Sequence, residues 1–257
     1  MKTAVVKLLS DATGTADALA VDLNLPLIEM SAFDSLCEVA GFDYLLGFVD
    51  SRLILRSTDP DLLGELCVDF LDTKLKHRAQ SAIRNQNIAK AIGVKGKHRP
   101  SVLDAMAGLG KDAYLLASLG CEVSLLERSP IVHALLRNGL ARMEFYDTET
   151  KTILNRMNLR MGEFLELVPA SQQFDVVYLD PMFPERRKSA KVKKDMALLQ
   201  NLLGHQSEGA ELLEHALQIA TKRVVVKRAK LSPPLSAAKP DIQFKGSSSR
   251  YDVYLLV

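Results

Sequence analysis

A chain of 257 residues with a 47% hydrophobic and 25% charged share can bury a full α/β core, which argues against a disordered tract. The net charge of +2 sets up no global basic field, so affinity for nucleic acid has to come from local placement of charge. Cys37, Cys67 and Cys121 are scattered without a C-x-x-C pair, which speaks against a disulfide framework or zinc site and for reduced thiols in an intracellular compartment.

In chain order, the first run, Met1 to Asp11, is interrupted by Lys7 and Asp11 and has no secretory h-region. No apolar stretch approaches the roughly 20 residues that span a bilayer, so no membrane association and a cytoplasmic location are expected. A short helix is expected between Ala12 and Leu23, starting near Thr13 or Thr15. Tyr44–Val49 and Arg52–Ser57 read as two strands joined at Asp50-Ser51, and Leu66–Phe70 as a further strand. Residues 1–75 therefore read as a small α+β lobe, with residues 76–257 as the main domain. Residues 74–92 are basic and helical in pattern, with Lys74, Lys76, His77, Arg78 and Arg84 before Ile88–Ile92; Gly93, Gly96 and Pro100 then break the chain.

From Ser101 the alternation of strand and helix is regular. Strands are expected at Val102–Asp104, Cys121–Glu127, Asn158–Met161, Phe174–Leu179 and Arg223–Lys227. Helices are expected at Lys111–Leu119, closed by Gly120, at Pro130–Arg142 and at Gly209–Ala220. Ile242–Lys245 and Tyr251–Val257 can close as an antiparallel pair. This order implies a doubly wound, mostly parallel sheet with right-handed crossovers.

The richest segment is Phe174-Asp-Val-Val-Tyr-Leu-Asp180-Pro181-Met182-Phe183-Pro184. Proline cannot continue a central strand, so the chain leaves the sheet at Pro181 and Asp180 falls at the carboxyl edge, where open α/β sheets bind ligands. A carboxylate, the Pro181 carbonyl and the Phe183 ring would suit a flat base bearing an amino group. An ordinary Asp-Pro turn is the alternative reading.

Asp104-Ala-Met106-Ala-Gly108-Leu-Gly110-Lys111-Asp112 stands between the first strand and first helix of the main sheet, where glycines let backbone approach a ligand. Glu127 ends the next strand, where a carboxylate can accept from ribose hydroxyls. Asp112 reads either as a helix-start carboxylate or as a ligand for an ammonium group. A dinucleotide fingerprint needs a glycine where Met106 stands, and an acidic turn repels phosphate. An acidic turn suits S-adenosylmethionine, which carries an α-ammonium and an adenosine but no phosphate. Gly162 and Glu163 follow the weak third strand, where adenine would be covered; a surface carboxylate at a helix start is the other account of Glu163.

These residues resemble the bacterial ribosomal RNA small subunit methyltransferase J family. The resemblance is carried by Val68-Asp-Phe70, His77-Arg78, Ala89–Gly96, Asp104–Ala113, Leu126–Pro130, Val177–Pro184, Lys188–Ala190 and Ala220–Arg228. It implies a Rossmann-like class I methyltransferase that uses S-adenosylmethionine to methylate the N2 amine of a guanine in 16S rRNA, free or in the small ribosomal subunit. It further implies that Lys111, Asp112, Glu127 and Arg128 contact the cofactor and that Asp180 stands beside the reacting centre; from the turn's own chemistry Asp104, Gly108 and Gly110 are expected to join Asp180 among the cofactor contacts. Gly162 and Glu163 depart from the family's Ser-Ser pair. Asp180, Pro181 and Phe183 would carry the transfer. Arg186, Arg187, Lys188, Lys191, Lys193 and Lys194, directly after that segment, read as RNA-phosphate contacts or as a solvated charged face. His133 and His205 have no partners at metal spacing, so no metal is expected. A nicotinamide oxidoreductase and a non-catalytic RNA-binding protein remain as competing classes.

Overall fold

The computed structural model describes all residues except 12, 32–38, 40, 60–63, 81–85, 170, 182–197, 200, 201, 203–208 and 257. The chain divides into two compact units, residues 1–68 with 183–205, and residues 69–182 with 206–257.

The first unit is built on five strands: β1 (Thr3–Leu8), β2 (Leu27–Met30), β3 (Tyr44–Val49), β4 (Arg52–Ser57) and β5 (Glu65–Leu66), in the order β2-β1-β3-β4-β5. Helix α1 (Thr15–Leu23) is the crossover between the parallel strands β1 and β2 and buries Ala16, Leu19 and Ala20. Ala4, Val6, Leu45 and Ile54 form a buried cluster, with Leu8, Ile28, Met30 and Phe42 packed around it. The expected hairpin is present: Asp50 and Ser51 both take positive φ, 48° and 62°, whose twist matches a tight two-residue connection between antiparallel strands.

Two strands here escaped the sequence reading. The β1 run was read only as interrupted by Lys7 and Asp11 and without a secretory h-region, but Lys7 lies toward its end and pairs with Asp17 of α1 at 3.0 Å, while Thr3 to Val6 are buried. β2 alternates exposed and half-buried residues and has little apolar signal of its own. The strand expected over Leu66–Phe70 is corrected to the two residues Glu65–Leu66. Val68 and Phe70 are buried without belonging to a sheet, so apolar character there reports packing rather than strand.

The second unit opens with helices α2 (Thr73–Gln80) and α3 (Asn87–Ile92). Its seven strands are β6 (Val102–Asp104), β7 (Val123–Glu127), β8 (Met157–Met161), β9 (Phe174–Leu179), β10 (Ala220–Ala229), β11 (Ile242–Lys245) and β12 (Ser249–Leu255). They lie in the order β11-β12-β10-β9-β6-β7-β8. β10, β9, β6, β7 and β8 run parallel, whereas β12 is antiparallel to both β10 and β11. The mostly parallel α/β class and the antiparallel C-terminal pair are as expected. Between the strands lie α4 (Lys111–Ser118), α5 (Pro130–Met143), α6 (Thr148–Leu154), α7 (Phe164–Leu167) and α8 (Gly209–Ile219).

Local chemistry starts these helices. Ser129 caps α5 by accepting from the Val132 N–H, with Pro130 in the first turn, and Asp147 caps α6 by accepting from the Thr150 N–H at 2.6 Å. The latter cap marks a helix the sequence reading passed over. In β9, Val176 to Leu179 are all essentially inaccessible. Burying each such side chain stabilises the fold by roughly 1.5–3 kcal/mol, which explains why the strand reads as an unbroken apolar run.

The sheet order places the site. From β6 the chain moves outward through β7 and β8, then returns to the other side of β6 as β9. β6 therefore borders the topological switch point, and a crevice opens past its carboxyl end between connections leaving in opposite directions.

Candidate active site at the carboxyl edge

The turn after β6 is tied to both neighbouring strands. The Ala105 N–H donates to the Tyr178 carbonyl of β9 at 3.0 Å, and the Ala107 N–H to the Leu126 carbonyl of β7 at 2.9 Å. The turn ends at Gly110, with φ at +67°; a Cβ there would stand 2.7 Å from Leu136 Cδ1 and 3.0 Å from Phe70 Cζ. Phe70 in turn stacks on Tyr114 of α4, ring centroids 5.4 Å apart. The Asp-Phe pair at 69–70 thus includes the ring that floors the glycine turn.

Glu127 fastens the turn from the other side. Its Oε2 accepts from the Gly108 N–H at 2.9 Å and its Oε1 from the Ser129 N–H at 2.8 Å. Burial raises its carboxyl above the ordinary value and these amides pull against that rise. The Gly162 N–H donates to the Glu127 carbonyl at 3.0 Å, which brings the ends of β7 and β8 together. Glu163 caps α7, its Oε1 accepting from its neighbour's N–H on Phe164, while its Oε2 pairs with Arg128 at 3.3 Å. Gly162 takes φ +153°, and a Cβ there would stand 2.5 Å from Leu167 Cδ2, so that a side chain would have to displace the Leu167 tip. Gly108, Glu127, Arg128, Gly162 and Glu163 therefore form one cluster.

A second cluster lies beyond β6 and β9. Lys227 of β10 donates through Nζ to Asp112 Oδ2 and to Asp180 Oδ2, each at 2.8 Å. The Tyr178 hydroxyl also donates to Asp112 Oδ2 at 2.8 Å. Asp112 is not the cap of α4; that position is Gly110, which makes no side-chain bond. Burial opposes the charge on Asp112, but Lys227, the Tyr178 hydroxyl and the field of Arg78 more than offset it and hold this carboxyl below the usual range. Burial raises the carboxyl of Asp180, and Lys227 opposes that rise. The Asp180 side chain still keeps 38% of its surface open, so it faces the crevice. Pro181 beside it is buried.

Asp104 behaves differently. It is 2% exposed, and burial followed by the charges of Asp112 and Asp180 pushes its carboxyl up to about 8. The acids read at the strand end from sequence are therefore unlike one another: Asp112 is held below the usual carboxylate range, whereas burial raises Asp180 and pushes Asp104 up to about 8.

Lys111 is exposed at the start of α4. Phe183, Arg186, Arg187, Lys188, Lys191, Lys193 and Lys194 lie outside the described residues, as do Arg84 and His205. Two central side chains have no role in the sequence reading: Tyr178 stands there within the strand Phe174–Leu179, and Lys227 at the end of the strand Arg223–Lys227. Pairing register was the missing signal. Val226 stands opposite Leu179, so the next step sets Lys227 beside Asp180.

The carboxylate acceptors suit a cationic nucleoside without phosphate. The start of α4, where a pyrophosphate would need free N–H groups, is fronted by the ionised Asp112, and the turn's Gly108 N–H is committed to Glu127.

Comparison with known proteins agrees with this geometry. A family model described as "Putative SAM-dependent methyltransferase" matches residues 35–256. A protein named ribosomal RNA small subunit methyltransferase J from Thioalkalivibrio sulfidiphilus is 44% identical over 244 residues, covering 93% of this chain and 92% of its own. The protein of that name from Coxiella burnetii is 41% identical over 242 residues, covering 94% and 92%. The crystal structure of a SAM-dependent methyltransferase from Neisseria gonorrhoeae superposes with a TM-score of 0.70 at 32% identity, covering 99% of this chain and 96% of that one.

Proposed function

This chain belongs to the ribosomal RNA small subunit methyltransferase J family, and from that premise we propose that it transfers a methyl group from S-adenosylmethionine to the exocyclic N2 amine of a guanine in 16S rRNA, in the cytoplasm. The observation that carries the reading is the open Asp180 carboxylate at the switch point, one strand away from the Glu127-bound glycine turn.

On this reading residues 76–257 perform the transfer and residues 1–75 form a separate lobe. Glu127 accepts from the ribose hydroxyls, with Gly108 and Gly110 giving the backbone its close approach. Gly162 and Glu163 border the adenine, and Arg128 holds Glu163 there. Asp112 takes the α-ammonium, Lys111 flanks it, and Asp104 lines the floor as a neutral acid. The cofactor, when bound, supplies an already activated sulfonium methyl.

An exocyclic guanine amine is a weak nucleophile because its lone pair is delocalised into the ring. Asp180 accepts an N–H of that amine, favours its pyramidal form and stabilises the positive charge that develops on nitrogen. The Pro181 carbonyl is the second acceptor and Phe183 the stacking partner. Much of the acceleration comes from holding amine and methyl in line. The target base leaves its stack to reach the crevice. Arg186, Arg187, Lys188, Lys191, Lys193 and Lys194 hold RNA phosphates, so binding weakens as salt rises.

The test is direct. The protein is incubated with methyl-labelled S-adenosylmethionine and unmodified 16S rRNA or small subunits, and the labelled nucleoside is mapped. N2-methylguanosine is the expected product; label on any other position, or none, overturns the assignment.

A further inference from the structure

We infer that Lys227 is a positioning residue for this reaction, the resident cation that keeps the Asp180 carboxylate an acceptor and locks it in register with Asp112. The inference rests on the proposed guanine-N2 reading. Its structural basis is the double contact, one ammonium 2.8 Å from Asp112 Oδ2 and 2.8 Å from Asp180 Oδ2.

The geometry gives that contact a consequence for chemistry. Lys227 uses Oδ2 of Asp180, which leaves Oδ1 for the substrate amine. Only an ionised carboxylate accepts from the amine through either oxygen; a protonated one presents a competing O–H donor. Among the described residues the groups acting on Asp180 are Asp104 from β6, Asp112 from α4, Tyr178 from β9, Lys227 and Arg228 from β10, and Tyr251 from β12. Arg78 of α2 acts on Asp112 in the same field. Among the described residues the cation within hydrogen-bonding distance of Asp180 is Lys227, and burial drives this carboxyl toward its neutral form. The same ammonium ties the carboxylate proposed for the cofactor's ammonium to the one proposed for the base. Loss of Lys227 therefore disturbs the acceptor and its alignment together, whereas a merely structural lysine would lower stability and leave the pH profile alone.

The experiment combines two readouts. In the free protein with 13C-labelled aspartate carboxyls, Asp180 in Lys227→Met should titrate about 1–3 pH units higher than in wild type, the span expected when an opposite charge within a few ångströms is lost. Lys227→Arg should keep the wild-type titration. In methyl transfer at pH 7.5, Lys227→Met should lose at least 30-fold in kcat and recover most of it as pH rises, its acid limb moving with the carboxyl titration. Lys227→Arg should lose less than tenfold, with no shift in that limb. An unchanged Asp180 titration in folded Lys227→Met, or kcat within threefold of wild type, overturns the inference. Where Lys227→Met does not fold, the wild-type Lys227 15Nζ resonance decides: it should move as pH falls through the Asp180 titration, and indifference overturns the inference. If the guanine reading is wrong, wild type fails to methylate guanine, yet the carboxyl titration still reports on Lys227.

Discussion

Glu127 and Asp180 end segments on either side of β6, but the first is held by two backbone amides and the second by a side-chain ammonium. Backbone donors cannot titrate, and they move only with the sheet that carries them. Glu127 therefore presents a rigidly aimed acceptor, which suits a ribose bound the same way in every cycle. Asp180 depends on Lys227 in a field shared with Asp104 and Asp112, so its acceptor strength responds to pH and to every neighbouring charge. One sheet edge thus carries a backbone-held carboxylate and an ammonium-held carboxylate on the two strands that flank β6.

The contrast is sharpest in a deletion of each carboxylate. Asp180→Ala should cost about a thousandfold in kcat, the scale of removing an acceptor aimed at developing charge, while affinity for S-adenosylhomocysteine changes less than fivefold by calorimetry. Turnover near the wild-type rate would take Asp180 out of the chemistry. Glu127→Ala should do the reverse. Affinity should fall about 10- to 100-fold, matching the roughly 1.5–3 kcal/mol of hydrogen bonds to a charged group, with a smaller change in kcat at saturating cofactor. Equal losses in both parameters for both variants would erase the distinction between the two carboxylates.

The Asp180 side of the edge also leaves a mark on stability. Asp104 sits at about 8 in the folded protein against an ordinary 3.8, so the folded state keeps a proton that the unfolded chain releases between those values. Stability contributed there is therefore lost as pH rises from about 4 toward 8, with the slope ending above that point. The melting temperature of wild type should fall by several degrees between pH 5 and 8.5 relative to Asp104→Asn, whose neutral amide has nothing to release. Parallel curves for the two proteins would mean that Asp104 is ionised throughout. The smallest effect is expected at Glu163→Gln. Its ion pair with Arg128 is about one-third exposed on both sides, so the change should cost less than about 1 kcal/mol in chemical denaturation and under threefold in cofactor affinity. A tenfold loss of affinity would move Glu163 into direct contact with the adenine.

Much of the second unit was legible because its strands are buried on both faces and its helices are framed by local signals. Phe174–Leu179 is an apolar run stopped by proline, and Ser129-Pro130 starts a helix with its own cap. The first unit was less legible. β1 and β2 are short, and their partner strands rather than their own pattern make them strands. The two-residue β5 was overextended because buried loop residues and strand residues look alike in sequence.

Sequence alone determined the sheet's strand content, the glycine turn, and the acids at positions 104, 112, 127 and 180, because burial and turn chemistry are written into local residue choice. Which acid is charged was decided only by tertiary structure. Asp104, Asp112, Asp180 and Lys227 come from three separate segments and meet at one edge, where burial raises the carboxyls of Asp104 and Asp180 while the Lys227 ammonium holds Asp112 down and opposes the rise at Asp180. Ionisation depends on distance and dielectric, and those exist only once the strands have paired.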